Sequence, residues 1–212
     1  MYKEISSIQN PIVKDILQLQ EKSRIRKLKE QFVVEGLREI HLALKGGYEI
    51  ITLLFCEDII QEFSIQNFNL QNNKIIKISK GVYEKLARRD STEGVIAIIL
   101  SKKHALNSIS FKHENPLILV VEAPEKPGNI GALLRTADAA ALDAVLIANP
   151  KTDLYNPNII RSSVGCVFTN KVATGSTHEI ISFLKKNNIA IYSAALNASQ
   201  SYESINYRKG SA

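Results

Sequence analysis

The stretch PGNIGALLRTADAAALDAVLIANP, residues 127–150, decides the fold class of the chain. Its pattern predicts a glycine-containing loop, then a helix over Gly131–Ala141 and a buried strand over Ala144–Ala148. At about 100° per residue, the apolar side chains of the helix fall on one stripe, which predicts that this face packs on a sheet. Arg135 projects from the opposite face. The stripe consists of Ile130, Leu133, Leu134, Ala137 and Ala141.

Two polar residues of this segment have both a structural and a functional interpretation. Arg135 can pair with Asp138, three residues on, which would contribute roughly a few tenths of a kcal/mol. Alternatively, its face is kept open for a ligand, because only alanines flank it on that side. Asn129 stands where a helix N-cap belongs, and it can instead contact a substrate. The residues by themselves slightly favour the structural interpretation of both.

The surrounding sequence alternates strands and helices in two blocks. The first block runs from a helix capped by Asn10 and Pro11 to the strand GVIAIIL, with a short helix near Ile59–Phe63. The second block begins with a strand at Leu117–Val121 and ends with the apolar stretch IAIYSAAL, which predicts a further strand. Between them, SKKHALNSISFKHENP is polar and aperiodic, which is typical of a linker. We predict an α/β protein with a small α/β domain at 1–100, a linker at 101–115 and a parallel-sheet domain at 116–212.

Composition limits the class of partner. The 212 residues include 27 Lys and Arg against 21 Asp and Glu, a net charge of +6, which favours polyanions such as nucleic acid. Cys56 and Cys166 are isolated and the four histidines are scattered, so we expect a reducing cytosol and no metal site. The N-terminus does not resemble a signal peptide, and no apolar run is long enough to span a membrane. We therefore predict a soluble, cytoplasmic protein.

The glycines before the helix do not form a dinucleotide-binding motif. That motif needs three glycines directly after a strand and an acidic residue at the end of the next strand. Here Gly128 and Gly131 follow a long loop, and the next strand ends at Asn149. The sequence also lacks the Gly-Lys-Ser/Thr of a P-loop. Nucleotide binding of the Rossmann type is therefore disfavoured.

Basic residues crowd together in EKSRIRKLKE, residues 21–30. A run of charges is usually a solvated helix end, but the same residues would suit an RNA phosphate backbone. Both interpretations stay open on charge alone. The candidate cluster contains Arg24, Arg26, Lys27 and Lys29.

Four stretches in this order carry a resemblance to a known family: FVVEGLREIHLAL, STEGVIAI, LVVEAPEKPGNIGALLRTADAAALDAVLI and NPNIIRSSVGCVF. Together they resemble the SpoU (TrmH-like) branch of the SPOUT RNA ribose 2′-O-methyltransferases. The resemblance implies a small N-terminal RNA-binding domain and a parallel-sheet methyltransferase domain that ends in a trefoil knot. It also implies S-adenosylmethionine as cofactor, a homodimer, and an RNA substrate, with ribosomal RNA expected rather than tRNA.

The resemblance also implies roles for individual residues. The first family motif corresponds to Asn129, Gly131 and Arg135, and we expect Asn129 and Arg135 to be catalytic. The second motif corresponds to Pro157, Arg161, Ser163 and Gly165. We expect Arg135 to hold a phosphate and to stabilise the developing alkoxide, because a guanidinium stays protonated in proteins and is therefore a poor base. The cofactor-binding candidates are Ala195 and Leu196, and the RNA-binding candidates are Arg24, Arg26, Lys27, Lys29, Arg38, Arg88, Arg89 and Arg161.

The sequence departs from the family at its C-terminal end, SINYRKGSA. It contains neither a GNEGxGLS-like loop nor a Ser-Leu-Asn-Val-Ser-like motif. The resemblance implies that those segments carry the family's catalytic glutamate, serine and asparagine and most of its cofactor-binding backbone. We therefore expect the 212-residue chain to be a piece of a longer enzyme or the product of a shortened gene. We also expect it to bind the cofactor weakly or not at all. The alternative is a non-catalytic RNA-binding protein of the same fold.

Overall fold

The computed structural model describes residues 2–88, 93–197 and 200–212. The chain divides into two compact units, Met1–Lys102 with Asp153–Thr169, and Lys103–Thr152 with Asn170–Ala212. The linear ranges predicted from the sequence assign 153–169 to the second domain, whereas in the structure this segment packs in the first unit. The first unit is therefore built from two separate stretches of the chain.

The helices and strands largely follow the predicted alternation. In chain order the helices are α1 Pro11–Glu21, α2 Ser23–Lys29, α3 Leu37–Lys45, α4 Phe63–Gln66, α5 Lys80–Leu86, α6 Pro127–Ala139, α7 Pro157–Ser162, α8 Cys166–Thr169 and α9 Thr177–Lys186. The strands are β1 Lys3–Ile5, β2 Gln31–Glu35, β3 Ile50–Phe55, β4 Ile75–Ile78, β5 Val95–Leu100, β6 Ile118–Glu122, β7 Ala144–Ala148 and β8 Val172–Gly175. The helix predicted near Ile59–Phe63 lies a few residues later, at α4.

The first unit is a mixed sheet in the order β1-β4-β3-β5-β2, with helices packed on it. β4 is parallel to β1 and β3, and β5 is antiparallel to β3 and β2. α1 begins as predicted, because the Asn10 side chain accepts a hydrogen bond of 3.0 Å from the Ile12 N–H and Pro11 supplies the first helical residue. The buried face of α1, which includes Val13, Ile16 and Leu19, joins the core beneath the sheet.

The second unit contains the predicted parallel sheet, in the order β6-β7-β8. All five residues of β7 are buried, as expected for a central strand covered on both faces. On one face, Leu146 and Ala148 pack with Ile180 and Leu184 of α9. On the other, Ile130, Leu133 and Leu134 of α6 lie beside Val145 and Ile147. The predicted parallel architecture with helices on both faces is confirmed for this part of the chain.

Most of the segment predicted as a linker packs in the second unit. The Thr174 N–H donates to the His104 carbonyl at 2.8 Å, and His104 Nδ1 lies 2.9 Å from the Val172 carbonyl, so the segment runs beside β8. Leu106, Ile109 and Phe111 pack against the core that includes α9. A polar, aperiodic composition did not reveal this, because three spaced apolar residues are enough to hold an extended segment on a sheet edge.

The strand predicted for IAIYSAAL does not form as such. Residues 191–197 are exposed, and the pairing of this region is limited to an isolated bridge between Ala190 and Ser211. The Ala190 N–H donates to Gly210 and the Tyr192 N–H donates to Ala212, at 2.9 and 2.8 Å. A strand needs a continuous partner, and among the described residues only 210–212 lie alongside.

None of the helices in the described ranges combines the length and the apolar character that crossing a lipid bilayer requires.

Candidate functional site

The helix that carries the first motif begins earlier than its composition indicated. α6 starts at Pro127, whose fixed φ suits a first helical position, and Lys126 precedes it without a capping side-chain bond. Asn129 therefore lies within the first turn and is exposed, so the expectation that it is the N-cap is wrong. Ala141 lies beyond the helix end with a φ of 53° and is exposed, so it leaves the predicted stripe. The rest of the stripe packs on the sheet as predicted.

Arg135 is exposed on the face of α6 that points away from the sheet. The pairing of Arg135 with Asp138 stays a prediction. Asn129 lies six residues earlier, about 9 Å along the axis and about 120° around it. The two side chains therefore lie at opposite edges of one exposed surface of the helix. Ala132, which is small, lies between them on that surface.

The loop before α6 is fixed at the carboxyl edge of the sheet by a polar cluster that the sequence reading missed. Asn149 Nδ2 donates to Glu122 Oε1 at 2.9 Å and to Thr177 Oγ1 at 2.7 Å, and Thr177 Oγ1 donates to Glu122 Oε2 at 2.7 Å. These hydrogen bonds, that from Asn149 first, hold the pKa of Glu122 below its ordinary value. The Ala123 N–H also bonds the Ala148 carbonyl at 2.8 Å. Polar residues directly after parallel strands were the available signal.

The exposed C-terminal region surrounds a cavity of about 540 Å³. The rings of Tyr192 and Tyr207 meet edge to face there, with centroids 5.0 Å apart. Ala195 lines this cavity, whereas Leu196 is fully exposed and is not among its described lining residues. Such a volume lies in the range of about 300–1,000 Å³ that small-molecule and cofactor sites occupy. The lining residues are Ile191, Tyr192, Ser193, Ala194, Ala195, Asn197, Gln200, Tyr202, Ile205 and Tyr207.

Arg26 is not available to RNA, which corrects the prediction for this residue. Its side chain is only 4% exposed, and its Nε lies 2.5 Å from Asp153 Oδ2. The guanidinium also donates to the carbonyls of Leu19 and Gln20, at 2.7 and 3.2 Å, so it closes the C-terminal end of α1. The run of charges in the sequence does not indicate this role, because Arg26 faces the core whereas its basic neighbours on α2 face solvent.

The other RNA-binding candidates are distributed over the first unit. Arg24 and Lys27 are exposed on α2, and Lys29 is exposed but forms an ion pair with Asp15. Arg89 lies outside the described residues. The remaining candidates Arg38, Arg88 and Arg161 are all exposed.

The second motif also lies in the first unit, and several of its residues have structural tasks. As predicted, α7 begins at Pro157 with an Asn156 cap, whose side chain accepts from the Asn158 N–H at 2.9 Å. Ser163 is fully buried and donates to the Ile160 carbonyl at 3.1 Å. Gly165 has a φ of 84°, and a Cβ there would lie 2.6 Å from Leu42 Cδ1, so a side chain would not fit.

Two family models match the chain. Residues 10–97 match the MRM3-like substrate binding domain, and residues 116–212 match the SpoU rRNA Methylase family. The curated 23S rRNA (guanosine(2553)-2′-O)-methyltransferase of Bacillus subtilis is 26% identical over 203 residues, which are 96% of this chain and 77% of that protein.

Solved structures agree with these matches. A crystal structure of an RNA 2′-O ribose methyltransferase is 33% identical with a TM-score of 0.80, and the match covers 98% of this chain and 80% of that one. The AdoMet-bound rRNA methyltransferase of Sinorhizobium meliloti is 27% identical with a TM-score of 0.87, over 99% of this chain and 79% of that one. The resemblance carried by the four sequence stretches is thereby confirmed, and the chain belongs to the SpoU rRNA methylase family.

Proposed function

We propose that this protein transfers a methyl group from S-adenosylmethionine to a ribose 2′-OH of ribosomal RNA. Its similarity to 2′-O-methyltransferases supports a catalytic protein over an RNA-binding protein without catalysis. The observation that carries the proposal is the exposed Arg135 on a helix whose opposite face is packed on the parallel sheet. The sheet fixes the helix, so the guanidinium is presented outward from a rigid element.

Arg135 acts on the RNA. In the reaction the ribose 2′-oxygen forms a bond to the methyl carbon as the carbon–sulfur bond breaks, and the hydroxyl proton leaves to water or a neighbouring group. Arg135 binds the adjacent phosphate and stabilises the negative charge that develops on the 2′-oxygen. It is not the base, because a guanidinium stays protonated in proteins. Holding the hydroxyl in line supplies several kcal/mol of the rate enhancement, on the order of what orientation contributes elsewhere.

Asn129 and Glu122 have supporting roles in this proposal. The Asn129 amide, about 1.7 helical turns before Arg135, hydrogen-bonds the ribose. Glu122 acts through the loop, because its bonds to Asn149 and Thr177 hold the end of β6 against the end of β7. A positioned loop keeps Asn129 and Arg135 in a constant relation to the sheet edge.

The residues around the 540 Å³ cavity offer one part of a cofactor site. Tyr192 and Tyr207 offer aromatic faces to a purine, and Ala195 and Ser193 offer close backbone approach. S-adenosylmethionine, when bound, supplies an electrophilic methyl group. Calorimetric titration of the cofactor into the 212-residue chain tests the expectation of weak or absent binding, which a micromolar affinity would contradict.

Further parts of the proposal concern partners and location. Arg24, Lys27, Arg38, Arg88 and Arg161 supply the grip on RNA phosphates. A homodimer, a cytoplasmic location and the absence of a metal cofactor remain predictions. Size-exclusion chromatography with light scattering tests the first of these.

The activity is tested by incorporation of tritiated methyl groups into ribosomal RNA. The assay uses the chain itself and a chimera that continues it with the segment that follows in the Bacillus subtilis relative. Arg135→Ala should lower turnover by about 100-fold or more, as for loss of one oxyanion donor, and Arg135→Lys by less. Lys185→Ala, an exposed cation in the last turn of α9, is the control. Near-normal turnover of Arg135→Ala removes Arg135 from the chemistry. RNA binding without any methylation by either protein supports the non-catalytic alternative.

A further inference from the structure

We propose that Arg88 and Arg161 form a shared binding site for one phosphodiester group of the RNA, and that Arg26 is a positioning residue for this site. The inference rests on the proposed function only in that its ligand is RNA. Arg88 follows α5 and Arg161 lies in α7, 73 positions later, yet both line one surface cavity of the first unit. Neither motif spacing nor charge clustering brings them together.

The two arginines are oriented by defined contacts. Arg88 Nε donates to Gln20 Oε1 at 3.3 Å, and Gln20 is itself 5% exposed and donates to the Leu86 carbonyl at 2.9 Å. The Arg161 guanidinium donates to Asn158 Oδ1 at 3.2 Å. Arg88 Nη2 also lies 4.0 Å from Glu21 Oε1, in an ion pair at the surface. Both arginines are exposed, and each guanidinium has more N–H donors than these contacts use, so donors are left for a ligand.

The charge and size of the cavity suit an anionic oxygen. Arg88 and Arg161 are its two cations and Glu35 is the one carboxylate among its described lining residues. Glu35 Oε2 already accepts the Arg88 backbone N–H at 3.0 Å, so it holds that stretch of chain in place. The cavity is open to solvent, and its volume of about 30 Å³ accommodates an oxygen of a phosphate group. The rest of the lining consists of Gln20, Val33, Pro157, Asn158 and Ile160.

The site exists because the segment Asp153–Thr169, called the docked segment below, is anchored in the first unit. Its first residue, Asp153, forms the buried ion pair with Arg26. Asp153 Oδ1 also accepts the Tyr155 N–H at 3.0 Å, and the Asn156 N–H donates to the Asp153 carbonyl at 2.9 Å. This turn leads directly into α7. Arg26 therefore determines where α7 begins and hence where Arg161 lies.

Aromatic packing completes the anchor. The Tyr155 ring stacks on Phe32 with centroids 4.1 Å apart, and Phe168 stacks on the same ring at 5.9 Å. The Tyr155 hydroxyl accepts the Lys102 N–H at 2.9 Å, and burial raises the pKa of this tyrosine above its ordinary value. At Gly46 a Cβ would lie 2.2 Å from the Phe168 carbonyl oxygen, so only glycine permits this approach.

The test is the salt dependence of RNA binding by the 212-residue protein, with a ribosomal RNA fragment as probe. The slope of log K against log salt counts the phosphates that are contacted. Arg88→Gln and Arg161→Gln should each weaken binding by about tenfold and each reduce the slope by about one. Because the two side chains share a phosphate, the double variant should reduce it by about one as well, and not by two. Lys185→Gln is the matched control for a lost surface charge.

Three results would overturn the shared site. The first is that each single variant has the same slope of log K against log salt as Lys185→Gln. The second is that the double variant reduces this slope by about two. The third is that all variants bind the RNA equally. An Arg135 variant can lose methyl transfer and still show the wild-type salt dependence of RNA binding. That result concerns the proposed function and does not contradict the shared phosphate site.

The positioning role of Arg26 is tested with Arg26→Lys, which keeps the buried charge but lacks the fork that reaches both Asp153 and the α1 carbonyls. We expect its slope to match that of Arg161→Gln, and the combination of the two substitutions to have no further effect. If Arg26→Lys does not fold, the double variant Arg26→Met with Asp153→Leu removes both charges and takes its place. A folded variant with the wild-type slope would show that Arg26 supports stability only.

Discussion

The docked segment differs sharply from the exposed segment, residues 190–197 and 200–207, although both are rich in apolar and aromatic residues. In the docked segment Leu154, Tyr155 and Phe168 are between 4% and 7% exposed. In the exposed segment Leu196 is 100% and Tyr202 is 73% exposed. Hydropathy does not separate the two. What separates them is whether the described chain offers a surface of matching shape and hydrogen-bonding groups.

The docked segment meets such a surface at several kinds of contact. It has an ion pair with Arg26, ring stacking on Phe32, and glycines at 46 and 165 where backbone and side chain approach closely. The exposed segment pairs through Ala190 and Tyr192 with residues 210–212. A segment with few partners keeps its conformational entropy, which opposes ordering at roughly 1–2 kcal/mol per residue.

The largest effect is expected from charge reversal in the anchor of the docked segment. Arg26→Glu places a second carboxylate beside the buried Asp153, so the free energy of unfolding should fall by at least about 3–5 kcal/mol in urea denaturation. Lys27→Glu is the neighbouring control, because Lys27 is exposed, and its effect should stay within about 0.5 kcal/mol. Equal stability of the two variants would break the comparison. Lys27→Glu should instead flatten the salt dependence of RNA binding.

Truncation of the aromatic contact is expected to have the next largest effect. Phe168→Ala removes a ring that stacks on Phe32 and meets Tyr48 edge to face, so it should lower the free energy of unfolding by about 3 kcal/mol. Thermal unfolding measures this, and Tyr202→Ala in the exposed segment is the control. A loss below about 1 kcal/mol for Phe168→Ala would mean that the docked segment is held by its ion pair alone.

Substitution in the exposed segment should have little effect on stability. Leu196→Ser removes an apolar side chain that is already fully in water, so the free energy of unfolding measured by urea denaturation should change by less than about 0.5 kcal/mol. A destabilisation above about 1.5 kcal/mol would show that Leu196 is buried in solution, for example against a second copy of the chain. Repeating the measurement at several protein concentrations identifies that case.

The smallest effect is expected from the hydrogen-bonded cluster of Glu122, Asn149 and Thr177 at the carboxyl edge of the parallel sheet. The pKa of Glu122 is lowered in the folded protein, first by the Asn149 bond and then by Thr177. The carboxylate therefore contributes stability above its ordinary pKa, and that contribution is lost as pH falls through the lowered folded pKa. Glu122→Gln should therefore lower the free energy of unfolding slightly at pH 7, where the carboxylate is ionised, and should weaken the loss of stability below about pH 4.5, the ordinary pKa of the group. An identical pH profile for both proteins would contradict the role assigned to this cluster.

Much of the local structure was predictable because it depends on neighbouring residues. Asn10 with Pro11 and Asn156 with Pro157 both start helices where expected, since capping is a matter of a few consecutive positions. The stripe of α6 and the buried character of β7 also follow from periodicity. The predicted start of α6 is wrong. Pro127 and Asn129 are both residues that commonly begin a helix, and in the structure the helix begins at Pro127.

The candidate site divides in the same way. Arg135 on the outward face of α6 follows from helical geometry alone. The burial of Arg26 does not, because its partner Asp153 lies 127 positions away and charge patterning cannot show which cation of α2 faces the core. The Glu122, Asn149 and Thr177 cluster likewise joins the ends of separate elements.

By itself the sequence determined the order of helices and strands, the parallel sheet at residues 118–175, the outward Arg135 and the family, because each depends on short-range periodicity or on a contiguous motif. Only the tertiary structure decided that the docked segment belongs to the first unit, that Arg26 anchors it and that Arg88 and Arg161 line one cavity. It also decided that residues 191–197 form no strand. Burial and strand pairing are properties of two surfaces that meet, and a single stretch of chain specifies only one of them.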